Sequence, residues 1–206
     1  MAADIWPTIH AERQALLDDV ANLTPAQWES PTLCGEWNVH QVFGHLVSLA
    51  KMTPPKFLMQ MAGSGFNFDK YAAKGVAAET AGGPAASVAV LDAAKNQTNA
   101  PPGPKDTWLG EHFVHGEDIR RALGIERAYP LDVVSRALTF YSGSEPIIHG
   151  KSRVAGLTLK ATDTNLTIGS GPVVEGPVMS LLIATSGRKS VLDELSGPGV
   201  DTLRSR

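Results

Sequence analysis

Four stretches of this chain carry apolar residues at helical spacing, and that repetition limits the fold more than any other feature. Ile9, Leu16, Leu17, Val20 and Leu23 fall on one face of a helix running from Ile9 to about Leu23. A second helix, from Val39 to about Met52, gathers Val42, Phe43, Leu46, Val47, Leu49 and Ala50 on a broad apolar face. The alanine-rich run from Ala85 to Gln97 predicts a third. Trp108 to Leu123 predicts a fourth, stopped by Gly124 just past its end. Helices with one apolar stripe bury it against each other, so the expected core is a four-helix bundle.

The punctuation between these stretches agrees with that reading. Thr24, Pro25 and Gln27 form a capping-box pattern that predicts a short helical turn over Pro25 to Glu29, and Pro31 to Glu36 reads as a connecting loop. Pro54 and Pro55 mark a break near the end of the second helix, and the run from Ala100 to Pro104 is a rigid spacer. From Lys56 to Gly83 two readings stand open. Phe57, Leu58, Met59 and Met61 suit a continued helix, whereas Gly63, Gly65 and the polar run after them suit a loop over one end of the bundle. Leu131 to Tyr141 is a fifth helical stretch that either packs on the bundle or joins the C-terminal extension.

Past Gly143 the texture changes to short alternating segments. Gly156 to Ala161, Asn165 to Ile168 and Val173-Val174 read as strands, and Pro177 to Thr185 reads as a helix ended by Gly187. The expected architecture is therefore mainly α, with a helical bundle over residues 1–145 and a small α/β extension over residues 146–206.

A chain of 206 residues can bury a sizeable core without covalent staples, and its single cysteine, Cys34, excludes an intramolecular disulfide. Without a basic start and apolar core at its N-terminus, the expected location is the cytoplasm. The best apolar run, Val178 to Thr185, falls far short of the roughly 20 residues that span a bilayer, so no membrane partner is expected. Net charge is −3 and the basic residues are scattered, apart from Arg120 and Arg121, which fit the solvated face of a helix. Nucleic-acid binding, which needs a basic stripe, is not expected.

Two of the six histidines, His45 and His115, sit mid-helix among apolar neighbours, where an imidazole must find a polar partner. Glu111 and His115 are four apart and share a helix face, so together they are able to bind one metal ion, with His45 as the third ligand from another helix. Gly44 permits close approach beside His45. His112 and His115 form a competing pair at a spacing of three, and spacing alone does not separate the two options. Three protein ligands leave a coordination position open, as in catalytic sites. Asp118 suits either a role orienting a ligand or an ion pair with Arg121, the latter being favoured. Cys34 stands in a loop with no evident base and reads as a small buried hydrophobe. Trp28 and Trp37 flank it and read as aromatic packing that pins the loop to the bundle.

The run LTPAQWESPTLCGEWNVHQVFGHL, with WLGEHFVHGEDIRRALG far downstream, resembles the N-terminal domain of the mycothiol-dependent maleylpyruvate isomerase family, one of the DinB-like metal-binding bundles. The segment LTLKATDTNLTIGSGPVVEGPVMSLLIATSGR resembles the extension found after it in many actinobacterial members. The resemblance implies a DinB-like four-helix bundle with metal ligands at His45, Glu111 and His115, and it sets His112 aside. It also implies a divalent metal, usually Zn2+ in characterised relatives, and mycothiol as cosubstrate, although such ligands also suit nickel, iron or manganese.

The activity implied is that of a metal- and mycothiol-dependent enzyme. The metal favours the thiolate, which attacks an electrophilic substrate. In an isomerase the thiolate adds to a conjugated double bond, the resulting single bond rotates, and elimination restores the alkene; in an S-transferase the adduct is released. The alternatives are a hydrolase using metal-bound water and a non-catalytic metal- or ligand-binding module. Arg188 resembles a recurrent family glycine-arginine and is a candidate clamp for a substrate carboxylate, against a plain reading as a cation at a helix C-terminus. The expected partners are a small-molecule thiol and an electrophile, with a homodimer contact at Phe57 to Met61 if that segment is exposed.

Overall fold

Pro7 sits in the first turn of the first helix, where its missing N–H costs nothing, and α1 runs Trp6–Val20. The structure, a computed structural model, describes residues 4–35, 37–145 and 147–206. Helices α2 (Pro25–Trp28) and α3 (Val39–Ala50) come next, then α4 (Pro54–Gly63), α5 (Phe68–Thr80), α6 (Gly83–Ala94) and α7 (Lys105–Leu123). The chain divides into two compact units, Met1–Glu126 and Arg127–Arg206.

In the first unit α1, α3, α6 and α7 are the four helices expected, each within about one turn of its predicted limits. They enclose Leu16, Val42, Phe43, Leu46, Val47, Leu91 and Ile119, all buried. Thr24 and Gln27 cap α2 reciprocally as expected, and Asn38 and Gln41 do the same for α3. Gly124 ends α7 at φ +67°, in the left-handed region that suits glycine. Glu36, the last residue of the expected loop, lies outside the described residues.

The segment left open between Lys56 and Gly83 is helical. Pro54 and Pro55 begin α4 rather than merely ending α3, and Asn67 caps α5 by accepting from the Lys70 N–H. Helix α5 lies against α3 and α6. Its approach to α3 is close: a Cβ on Gly44 would stand 2.7 Å from Thr80 Cγ2, and one on Gly75 2.8 Å from Ser48 Oγ. A smaller apolar cluster of Met52, Met61 and Tyr71, flanked by Phe57 and Phe68, ties α4 to this end. Leu58 and Met59, within the segment proposed for a dimer contact, are exposed.

One expectation about the surface fails. Arg120, read as solvated, is 1% exposed. Its Nε donates to Asp19 Oδ2 at 2.6 Å and its Nη1 to Glu12 Oε2 at 3.2 Å, so the charge is buried with two carboxylates from α1.

The second unit begins earlier than the expected division after residue 145; Pro146, at that division, lies outside the described residues. Helix α8 (Leu131–Ser142) packs on α10 (Val178–Thr185), and α9 (Gly150–Val154) lies beside both. The strands are β1 (Thr158–Ala161), β2 (Thr167–Gly169) and β3 (Val173–Gly176) in the order β2-β1-β3, antiparallel between β1 and β2 and parallel between β1 and β3. Leu159 pairs with Ile168 on one side and Val174 on the other. Gly169 is required at its place, because a Cβ there would meet Leu157 O at 2.3 Å. A 3-10 turn (Lys189–Glu194) and α11 (Val200–Arg204) complete the unit. Among the described residues no helix is long and apolar enough to cross a membrane.

Candidate metal centre

Helix α3 carries His45 and helix α7 carries Glu111 and His115, and the packing of these two helices brings the three together. Glu111 Oε2 lies 3.1 Å from His45 Nε2 and 3.3 Å from His115 Nε2. The imidazole rings stand 4.7 Å apart at 71°. One ligand atom from each residue lies within 4.8 Å of the others. Donor atoms held at about 2.0–2.1 Å around a tetrahedral ion stand roughly 3.3 Å apart, so the spacing around Glu111 suits a small divalent cation. Two imidazoles and a carboxylate are also a donor set of the right chemistry. The side chains remain 12%, 21% and 10% exposed, which leaves the group open to a small molecule.

His115 is held from behind. His115 Nδ1 donates to Asp118 Oδ2 at 2.9 Å, and Asp118 is fully buried. That leaves Nε2 of His115 facing Glu111. The indole of Trp37 lies 5.3 Å from the His45 ring and 6.5 Å from the His115 ring, walling the pair on one side. Gly44, beside His45, gives room to α5 and not to a ligand.

The geometry sets the electrostatics. Burial alone would push the Glu111 carboxyl up, but hydrogen bonds from His115 and His45, reinforced by their charges, hold it well below the usual carboxylate range. Burial would likewise lower His115, and the hydrogen bonds to Asp118, Cys34 and Glu111 outweigh it, raising the imidazole well above its ordinary value.

The other residues singled out by the sequence take different places. His112 points away from the cluster: its Nδ1 donates to Trp108 O at 2.7 Å and its Nε2 accepts from Arg13 Nε at 3.1 Å. Both ring nitrogens are committed, and burial, with the Arg13 charge adding to it, pushes its pKa down to about 3. Asp118 turns to His115, and Arg121 pairs with Glu117 at 2.8 Å, where the sequence favoured an ion pair between Asp118 and Arg121. Arg188 lies in the second unit, where its Nη1 donates to Ser186 O at 3.3 Å. Trp28 packs on Phe43 and His40, as a pin for the loop should.

Cys34 is the residue that sequence reasoning undervalued. Its sulfur joins His115 and Asp118 in a second group of three ligand atoms within 4.8 Å of one another, and it shares a hydrogen bond with His115. Nothing local to the loop signals this, since both partners lie on α7. Cys34 directly precedes Gly35, whose φ of +59° lies in the left-handed region that suits glycine.

Known proteins supply the family. The family model described as the mycothiol maleylpyruvate isomerase N-terminal domain matches residues 9–120, which include all three cluster residues and Cys34. Two solved structures share the fold across nearly the whole chain. They are the mycothiol-dependent maleylpyruvate isomerase, at 15% identity and TM-score 0.56, and a point mutant of it, at 16% and 0.57. Each comparison covers 94% of this chain and 91% of the other. No curated protein matches the sequence. With the family match spanning more than half its length, the chain belongs to the mycothiol maleylpyruvate isomerase N-terminal domain family.

Proposed function

We propose that this chain is a metal- and mycothiol-dependent enzyme that sets a thiolate against an electrophilic carbon, as a maleylpyruvate isomerase-like or S-transferase activity. The observation that carries the reading is the convergence of His45, Glu111 and His115 from two helices onto one point, in a member of this family. A divalent ion such as Zn2+, when bound there, supplies a Lewis acid that favours the thiolate of mycothiol.

The chain's own residues prepare that chemistry. Glu111 brings the negative charge that offsets a cation, and the two imidazoles add donors without further charge. Asp118 fixes the His115 ring so that Nε2 and not Nδ1 faces inward. Trp37 covers one side of the histidine pair. For an isomerase the thiolate adds to a conjugated double bond, the carbon–carbon bond rotates while single, and the thiolate leaves; for a transferase the adduct departs.

A second donor set calls for a separate test, because Cys34, His115 and Asp118 also converge. Elemental analysis of the parent, a His45→Ala variant and a Cys34→Ser variant separates the two. About one metal per chain in the parent and in Cys34→Ser, but none in His45→Ala, supports the histidine-carboxylate set. Loss in Cys34→Ser with retention in His45→Ala moves the ion to the sulfur set. Calorimetric titration of the metal-loaded parent with mycothiol then tests the thiol: no binding sinks mycothiol dependence and leaves metal-dependent hydrolysis or ligand binding.

A further inference from the structure

Between α2 and α3 the chain makes a short loop that is shut at its base. The Val39 N–H donates to Ser30 O at 3.0 Å, and Pro31 and Asn38 pair as an isolated antiparallel bridge. Inside the loop the Trp37 N–H donates to Cys34 O at 3.1 Å, and the Thr32 N–H to Trp37 O at 3.3 Å. A single hydroxyl then ties the two limbs together. Thr32 Oγ1 donates to Trp37 O at 2.7 Å and accepts from the Cys34 N–H at 3.1 Å.

The residues that Thr32 holds are ones whose side chains reach the candidate metal centre. The indole of Trp37 lies 5.3 Å from the His45 ring and 6.5 Å from the His115 ring, within the range of aromatic contact. Cys34 shares a hydrogen bond with His115, and its sulfur lies within 4.8 Å of a ring nitrogen of that histidine. A loop fixed only at its base leaves such side chains free to sample several positions, whereas a hydroxyl bonded to both limbs removes that freedom before any ligand arrives.

We propose, on the footing of that metal centre, that Thr32 is a positioning residue: by bonding the backbone of both Cys34 and Trp37 it holds their side chains against His45 and His115 and so fixes the orientation of the two imidazoles. Thr32 touches neither ring itself in this account. Its effect passes through the thiol on one limb and the indole on the other, and it joins Asp118, which holds His115 from α7.

The test compares the purified full chain with Thr32→Val, which keeps the branched shape and loses the hydroxyl, and with Thr32→Ser, which restores the hydroxyl. In the metal-free proteins, the ring-nitrogen NMR signals of His45 and His115 should broaden or split in Thr32→Val and return to the parent's form in Thr32→Ser. A hydroxyl that only stabilises the loop would not move them. Zn2+ affinity, measured by competition with a chelator, should fall by about tenfold in Thr32→Val and recover in Thr32→Ser. Ring signals unchanged in Thr32→Val overturn the proposal, even where thermal stability falls, and reduce Thr32 to a loop closure. Zn2+ affinity equal to the parent's overturns it too. Ring signals that respond in a chain whose parent takes up no Zn2+ support the positioning of the rings and sink the metal reading instead. Should Thr32→Val fail to fold, Thr32→Ala, with no branched carbon to accommodate, is read by the same signals and the same criteria.

Discussion

Asp118 Oδ2 stands 2.9 Å from His115 Nδ1, one helical turn along α7, and so determines which nitrogen of that histidine faces Glu111. The carboxylate is fully buried, and its hydrogen bond is one of the causes that raise the imidazole. In Asp118→Asn the ring loses its charged acceptor and is free to turn. Metal affinity should fall by about 10–100-fold, measured by competition with a chelator of known strength. Unchanged affinity would remove Asp118 from the site.

The raised His115 makes metal uptake pH-dependent, because a cation must displace its proton. Affinity should therefore rise with pH through the raised His115 pKa, by up to about tenfold per unit. The metal-free protein should behave in the opposite sense. A folded-state pKa above the unfolded value contributes stability that is fully present below about 6.5 and is lost as pH rises through the folded value. Urea unfolding with and without metal across that range checks both signs.

His112 gives a different pH signature. It is held neutral in the fold, at about 3 against an ordinary 6.5, so between those values the unfolded chain takes up a proton that the folded one refuses. Stability should fall by about 1.4 kcal/mol for each unit of acidification across that window. His112→Asn, which retains an acceptor for Arg13, should flatten that slope in urea titrations.

Breaking the Arg120 cluster should be costly. Arg120→Met leaves Glu12, 4% exposed, without its buried countercharge, and a loss of about 3–5 kcal/mol is expected in urea unfolding. The companion change Glu12→Gln in the same background should recover part of it.

Gly44→Ala should test how tightly α5 lies on α3. The added methyl meets Thr80 Cγ2, and the strain should exceed the gain in helix propensity, giving a net loss of about 1–2 kcal/mol. Thr80→Ser removes the opposing methyl while keeping the hydroxyl that donates to Val76 O, and should restore stability in the double variant.

Local rules were enough to read the four main helices, their caps at Thr24 and Gly124, and the change to strands past Gly143, because each depends on residues within one or two turns of each other. The pairing of Glu111 with His115 was legible for the same reason, as a spacing of four on one helix. Three matters were beyond the reach of local spacing, and packing decided them. On a helix both i+3 and i+4 neighbours are within reach, so Asp118 had two partners available and the burial of α7 selected His115, leaving Arg121 to Glu117. Arg120 looked solvated because its two carboxylates come from α1, about a hundred residues earlier in the chain. Cys34 looked inert because His115 and Asp118 reach it only across the fold. The sequence by itself determined which faces are apolar and which residue types are able to hold a metal. Tertiary structure decided which polar groups meet, since the partner of a buried charge is chosen by long-range packing that no local spacing records.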